Sequence, residues 1–213
     1  MRIGILGSGD VGRALGTAFA ACGHEAKLGS RDANNPKVKD WVAKGGVHAA
    51  GGTFEDVAKF AEVIVLATLW TGTENALRLA GVQNLAGKVL IDATNPLDFS
   101  TMPPKLSVGG TDSTGEQVQR WAPAARVVKA FNIVGNAHMF RPAFPGGPPD
   151  MFICGNDAAA KATVSQILNE FGWEVIDLGG IEGSRYLEPL AMVWIAHGVR
   201  SKSWNHAFKL LKK

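Results

Sequence analysis

Cysteine, tyrosine and long apolar runs are scarce in this chain, and each scarcity removes a class of function. Cys22 and Cys154 are the two cysteines among 213 residues. They lie far apart, outside any Cys-x-x-Cys or Cys/His cluster, so neither a disulfide framework nor a zinc site is expected. Two thiols in apolar surroundings fit a reducing compartment, and the expected location is cytoplasmic. No run reaches the ~18 apolar residues of a membrane span. The stretch from Met1 to Gly7 is too short and too soon broken by glycine for a signal peptide. His24, His48, His138, His197 and His206 show no ligand spacing, so no metal is expected. A net charge of +3 is too small to argue for a nucleic-acid surface. The charge is uneven: residues 200–213 carry Arg200, Lys202, Lys209, Lys212 and Lys213 with no acid, which leaves 17 basic against 19 acidic residues elsewhere.

Glycine is what the chain has in excess, 26 of 213 residues, about 12% against a usual ~7%. The glycines cluster at the ends of apolar runs. Those runs predict strands over Ile3–Leu6, Glu25–Leu28, Val47–Ala50, Glu62–Ala67, Lys88–Ile91, Arg126–Phe131, Met151–Cys154 and Trp173–Ile176. Helical spacing or caps predict helices over Val11–Cys22, Pro36–Lys44, after Thr53, Thr73–Ala80, from Ser113 to Trp121, Ala158–Phe171 and Gly183–Leu211. The apolar side of the last holds Trp194, Ile195, Val199, Trp204, Phe208 and Leu211, with the basic tail on its exposed face. That aromatic-rich terminus is a candidate dimer surface or packs on its own sheet. Alternating strands and helices predict an α/β, Rossmann-type doubly wound fold with a mainly parallel sheet. The expected organisation is one nucleotide-binding domain over residues 1–213. Its core spans about 1–140, and a strand–helix–strand extension and C-terminal helix occupy 141–213.

Gly7-Ser8-Gly9-Asp10-Val11-Gly12 matches G-x-G-x-x-G between the first strand and the first helix, the context a dinucleotide turn requires. Gly7 permits the tight turn, Gly9 lets a pyrophosphate approach the backbone, and Gly12 lets the helix sit close to the strand. The helix N-terminus then offers free N–H groups to the phosphates. The second strand ends Gly29-Ser30-Arg31, where an NAD site would carry an acid. A hydroxyl and a guanidinium suit the 2′-phosphate of NADP instead. Lys37 can add a second charge, while Asp32 leaves NAD open.

Ligands of such sheets lie beyond the carboxyl ends of the strands. This places Thr68-Leu69-Trp70, Asn95 and Asn132 beside the nicotinamide half. Trp70 either walls a ring stack or packs beside the next helix; Asn95 and Asn132 either face the ligand or satisfy loop backbone. No Ser-His-Asp set, paired carboxylates or Tyr-x-x-x-Lys appears, so no catalytic acid or base is assigned. Hydride passing directly between two rings needs no proton relay, which favours an acceptor that is itself a cofactor.

Together these residues resemble the coenzyme F-420-dependent NADP oxidoreductases. The resemblance includes the glycine turn, Gly29-Ser30-Arg31, Thr68-Leu69-Trp70, the unit from Met151 with Asn156-Asp157, and Gly183-Ser184-Arg185-Tyr186-Leu187-Glu188. It implies NADP(H) as cofactor and a deazaflavin, coenzyme F-420, or a flavin (FMN or FAD) as second substrate, and a homodimer built through the C-terminal helices. It is similar also to the cytosolic domains of the STEAP metalloreductases, which pass NADPH electrons to a flavin. By resemblance, Ser8, Ser30, Arg31 and Lys37 surround the 2′-phosphate, and Thr68-Leu69-Trp70 approaches the nicotinamide. The chain departs from the archaeal deazaflavin enzymes, which carry His at the place of Asn132 and a glycine turn one residue longer. The alternatives are an imine or small-carbonyl reductase, needing His138 or Tyr186 as proton source, and a non-catalytic NADPH-sensing module. Pro142–Pro149 is expected near the second-ring pocket.

Overall fold

The computed structural model describes residues 1–211 and 213. In chain order the elements are β1 (Arg2–Leu6), α1 (Asp10–Ala21), β2 (Glu25–Ser30), α2 (Pro36–Lys44), β3 (Ala49–Thr53), α3 (Phe54–Phe60), β4 (Val63–Leu66) and α4 (Thr73–Ala80). There follow β5 (Val89–Asp92), β6 (Leu97–Asp98), β7 (Lys105–Leu106), α5 (Thr114–Trp121), β8 (Arg126–Lys129), β9 (Asp150–Gly155), α6 (Ala158–Glu170), β10 (Glu174–Asp177) and α7 (Ser184–Ser201). Eight strands form one sheet in the order β10-β9-β8-β5-β4-β1-β2-β3. Every neighbouring pair is parallel except β8 with β9. The fold is the Rossmann-type, mainly parallel α/β architecture.

The pleat sorts the strand side chains between two apolar layers. Val63 and Val65 of β4 join one layer, with Leu15 and Phe19 of α1, Trp41 of α2 and Ile167 of α6. Ile64 and Leu66 join the other, with Val57 of α3, Leu77 of α4 and Val118 of α5. A strand covered on both faces needs no polar alternation, so Val63-Ile64-Val65-Leu66 reads as one apolar run. Each such side chain, once fully buried, contributes about 1.5–3 kcal/mol. The helix starts follow local rules. Asn35 accepts from the Lys37 N–H before Pro36 at the first helical position. Thr53 and Asp56 form a reciprocal capping box, and Asp157 accepts from the Ala160 N–H.

Three expectations are corrected. The strand expected from Val47 begins at Ala49, and Val47 is exposed on a 3-10 turn. Residues 97–110, for which the sequence pattern predicts neither strand nor helix, contain the short antiparallel ribbon β6–β7. The largest correction is at the C-terminus, where the helix expected to reach Leu211 stops at Ser201. Lys202 is left-handed (φ 54°), and the chain folds back so that the Trp204 ring lies on Gly198, where any Cβ would collide with it. The Asp150 N–H then donates to the Phe208 carbonyl at 2.9 Å. Lys209 Nζ pairs with Glu174 at 2.7 Å. Trp204 and Phe208 are thus packed by reversal rather than by helical periodicity, and the basic residues do not share one helix face; Lys212 lies outside the described residues. Among those residues no helix is long and apolar enough to cross a membrane.

Candidate functional site

The carboxyl ends of the central strands are brought level by backbone hydrogen bonds just past them. The Gly7 N–H donates to Gly29 O, Ala67 N–H to Leu6 O, Ala93 N–H to Leu66 O and Ala130 N–H to Asp92 O. Residues that directly follow β1, β2, β4, β5 and β8 therefore share one edge of the sheet. The strand order reverses between β1 and β4, where such sheets open a crevice.

The first turn separates three glycine roles. Gly7 is in the left-handed region (φ 132°) and a Cβ there would strike the Ala67 carbonyl. A Cβ on Gly12 would strike the Gly7 carbonyl. Packing alone demands both. At Gly9 an added Cβ meets nothing within 4 Å, and its backbone is extended. The fold does not require glycine there, so the open space beside the N-terminus of α1 is what a ligand would use. Ser8 is half-buried; Asp10 is exposed and ion-paired with Arg13, and Val11 packs partly on the core.

At the end of β2, Ser30 is buried and its hydroxyl is engaged with the Asp32 backbone, accepting from the Asp32 N–H at 3.2 Å. Asp32 Oδ1 in turn accepts from the Asn34 N–H at 2.9 Å. Both side chains shape the turn and leave Arg31 and Lys37 exposed on it. After β4, the Thr68 and Thr73 hydroxyls lie 2.8 Å apart. Trp70 stacks on Trp121 of α5 with centroids 5.2 Å apart. Leu69 is left 74% exposed, the open member of the trio.

Asn95 and Asn132 meet across the ends of β5 and β8. Asn95 Nδ2 donates to the Asn132 carbonyl at 2.7 Å; Asn132 Nδ2 donates to Asn95 Oδ1 at 3.1 Å and to the Leu187 carbonyl of α7 at 3.0 Å. Asn132 Oδ1 is buried and has no hydrogen-bond partner among the described residues. Phe131, buried and left-handed (φ 64°), turns the chain here, at a cost of order 1–3 kcal/mol. Both asparagines line a cavity of about 340 Å³ with Leu97, Phe99, Met102, Pro104, Val134, Trp194, Ile195, Val199 and Trp204. Pro142–Pro149 is absent from that lining: Gly172 approaches Arg141 and Pro142, and the Pro148 carbonyl accepts from Lys209. Neither expected proton source lines it. His138 bonds Asn205 at 3.1 Å, and Tyr186 is 71% exposed. A larger open depression of about 570 Å³, near Arg126 and Asp157, lies at the opposite edge, where β8 begins.

Sequence reasoning missed the charged cluster behind the site. Lys129 is fully buried, 2.9 Å from Asp92 and 3.2 Å from Glu188. It also donates to the Thr94 carbonyl at 2.8 Å and to the Thr114 hydroxyl at 2.9 Å. Glu188 accepts from the Thr114 and Gly115 N–H groups, satisfying the N-terminus of α5. Burial pulls the Lys129 ammonium down, but Asp92 and Glu188 outweigh it and hold its pKa above the ordinary value. The available signal was a lysine interrupting the apolar run Val127-Val128-Lys129-Ala130. Nearby, burial pushes the Cys154 thiol up to about 11, against a smaller opposing effect of Ser184. That thiol is not a nucleophile at neutral pH.

Residues 2–96 match the family described as NADP oxidoreductase, coenzyme F-420-dependent. A crystal structure from Arthrobacter sp. FB24, assigned as an F-420-dependent NADP reductase, is 42% identical, covers 100% of both chains and superposes with a TM-score of 0.93. The chain belongs to the F-420-dependent NADP oxidoreductase family. The F-420-dependent NADP reductase of Methanocaldococcus jannaschii is 29% identical over 95% of each chain. Metalloreductase STEAP3 of Rattus norvegicus is 32% identical over 90% of this chain, which spans 36% of that protein's length. An imine reductase from Bacillus cereus shares the fold, at 17% identity and a TM-score of 0.68 over 94% of this chain and 62% of that one.

Proposed function

We propose that this family member is an NADP(H)-dependent oxidoreductase that exchanges hydride with a deazaflavin of the F-420 type or with a flavin. The observation that carries the dinucleotide is Gly9: no described residue crowds a Cβ there, which leaves open space at the N-terminus of α1 for a pyrophosphate. The N-terminal amides of α1 would bind the pyrophosphate, with Gly7, Ser8, Gly9, Asp10, Val11 and Gly12 forming the turn. Arg31 and Lys37 are free to meet a 2′-phosphate, Ser30 holds their turn in shape, and Asp32 is occupied by the Asn34 amide. These features favour NADP over NAD.

When bound, NADPH would supply a hydride to the acceptor ring, and the reduced acceptor would take up its proton from bulk solvent on release. The chain's own part is to hold the two rings together. Thr68, Leu69 and Trp70 bound the ring on the β4 side, and Asn95 and Asn132 bound it on the β5 and β8 side. The apolar cavity beyond the asparagines then takes the acceptor and excludes water. No acid or base lines that cavity, as suits a direct transfer. The two reduced cysteines fit a cytoplasmic protein. The exposed Tyr186 and Val193 of α7 suit a homodimer contact.

The test is an acceptor screen on the purified protein with NADPH, following absorbance at 340 nm. Oxidation with coenzyme F-420, FMN or FAD is expected, with NADH a poor donor. Tight NADPH binding without turnover on any of them would favour an NADPH-sensing role instead.

A further inference from the structure

The acceptor cavity has a composition that specifies more than a ring. Its eleven lining residues include no lysine, arginine, histidine, aspartate or glutamate. Its polar side chains are the two asparagines, and one of these, Asn132, is buried with its Oδ1 unpartnered among the described residues. Its walls include two indoles in mutual contact, Trp194 and Trp204, with centroids 5.2 Å apart. Trp194 is fixed: its indole N–H donates to the His206 carbonyl at 2.8 Å. Trp204 is seated on Gly198 yet is 47% exposed, and Phe99 and Met102 on the facing loop are more exposed still. Lys105 beside that loop is paired with Asp98 at 3.6 Å.

Aromatic walls reward a flat, polarisable ring, whereas recognition of a phosphate or carboxylate chain needs cations or clustered N–H donors. The ring wall is present, and among the described lining residues no charged side chain forms an anion grip. We propose that this site recognises its acceptor by the ring alone: the substrate class is an uncharged, flavin-type ring system, and an acidic tail on that ring adds nothing to binding. Arg200 and Lys202, which follow Val199 in the chain, are exposed and stand outside the lining. This rests on the flavin-type acceptor reading above and adds the chemistry that selects among such acceptors.

Riboflavin and FMN differ by one phosphate and supply the test. Each is titrated with the full chain in the presence of NADP+, and quenching of flavin fluorescence is read, so that no turnover is required. The expected dissociation constants lie within about threefold of each other and stay so in about 0.5 M salt, which would screen any tail contact. Coenzyme F-420 and its chromophore without the phosphate and glutamate tail should show the same equality. Trp204→Ala should weaken riboflavin about tenfold, while Trp204→Phe stays within about threefold. A preference of tenfold or more for FMN over riboflavin, removed by salt or by Arg200→Ala or Lys202→Ala, overturns ring-only recognition and leaves the flavin reading standing. Failure of both flavins and both deazaflavins to bind overturns the proposal and the flavin-type reading together.

Discussion

Lys129 Nζ lies 3.2 Å from Glu188 Oε1, with both side chains sealed from solvent. This contact ties the end of β8 to α7 and stands directly behind Asn132, whose amide donates to the carbonyl of Leu187, next to Glu188. The position of the asparagine pair therefore depends on an ion pair that touches no ligand. Removing one partner leaves uncompensated buried charge. Lys129→Met should cost about 3–5 kcal/mol of stability, read from urea unfolding. A loss below about 1 kcal/mol would mean that the site does not depend on this pair. Because the Lys129 pKa is raised, its contribution is complete below the unfolded value of about 10.4. It is lost only as pH rises through the higher folded value.

The glycine turn gives a paired prediction. A Cβ added at Gly9, as in Gly9→Val, meets no described atom of the protein within 4 Å. The variant's melting temperature should stay within about 2 °C of the parent, while dinucleotide binding disappears in calorimetry. Gly12→Ala forces a collision with the Gly7 carbonyl and should lower stability by about 1–3 kcal/mol as well as binding. Retained binding by folded Gly9→Val would refute the turn as the pyrophosphate site.

Selection for NADP should reside in Arg31. Charge-assisted hydrogen bonds contribute about 1.5–3 kcal/mol, so Arg31→Ala should weaken NADPH roughly ten- to a hundredfold and leave NADH nearly unchanged. Equal losses for both nucleotides would remove the 2′-phosphate role. Asp32→Asn should change this ratio little, because its carboxylate is engaged by the Asn34 amide.

Acid sensitivity should trace partly to Glu116. The hydrogen bond from Arg185 chiefly holds its pKa low, against the opposing pull of burial. That lowering contributes stability above the unfolded value of about 4.3 and is lost as pH falls through the lower folded value. Since Arg185 is 38% exposed, water screens the pair and the effect is small. Glu116→Gln should lower the melting temperature at pH 7 by about 2–4 °C or less and converge on the parent near pH 3. A constant gap across that range would contradict the assignment.

The order of strands and helices, the glycine turn and Arg31 were legible in the sequence because each depends on neighbours in the chain. Val63–Leu66 declares a doubly covered strand, Pro36 and Thr53 declare helix starts, and Gly7 and Gly12 sit at fixed offsets from β1. Local pattern also misled. Trp204, Phe208 and Leu211 carry helical spacing, yet the helix ends at Ser201, because the missing Cβ at Gly198 lets Trp204 fold back upon it. Only tertiary structure decided what lies behind and beside the asparagine pair, the proposed nicotinamide end. Lys129, Asp92 and Glu188 come from three separated elements, and no spacing connects them. The apolar cavity joins the loop after β5 to the reversed C-terminal tail, so its lack of charge is a property of assembly. The sequence alone pointed to the proposed dinucleotide turn and 2′-phosphate contact, since each lies within one local segment of the chain. The second ring's surroundings required the fold, because contacts between distant segments build them.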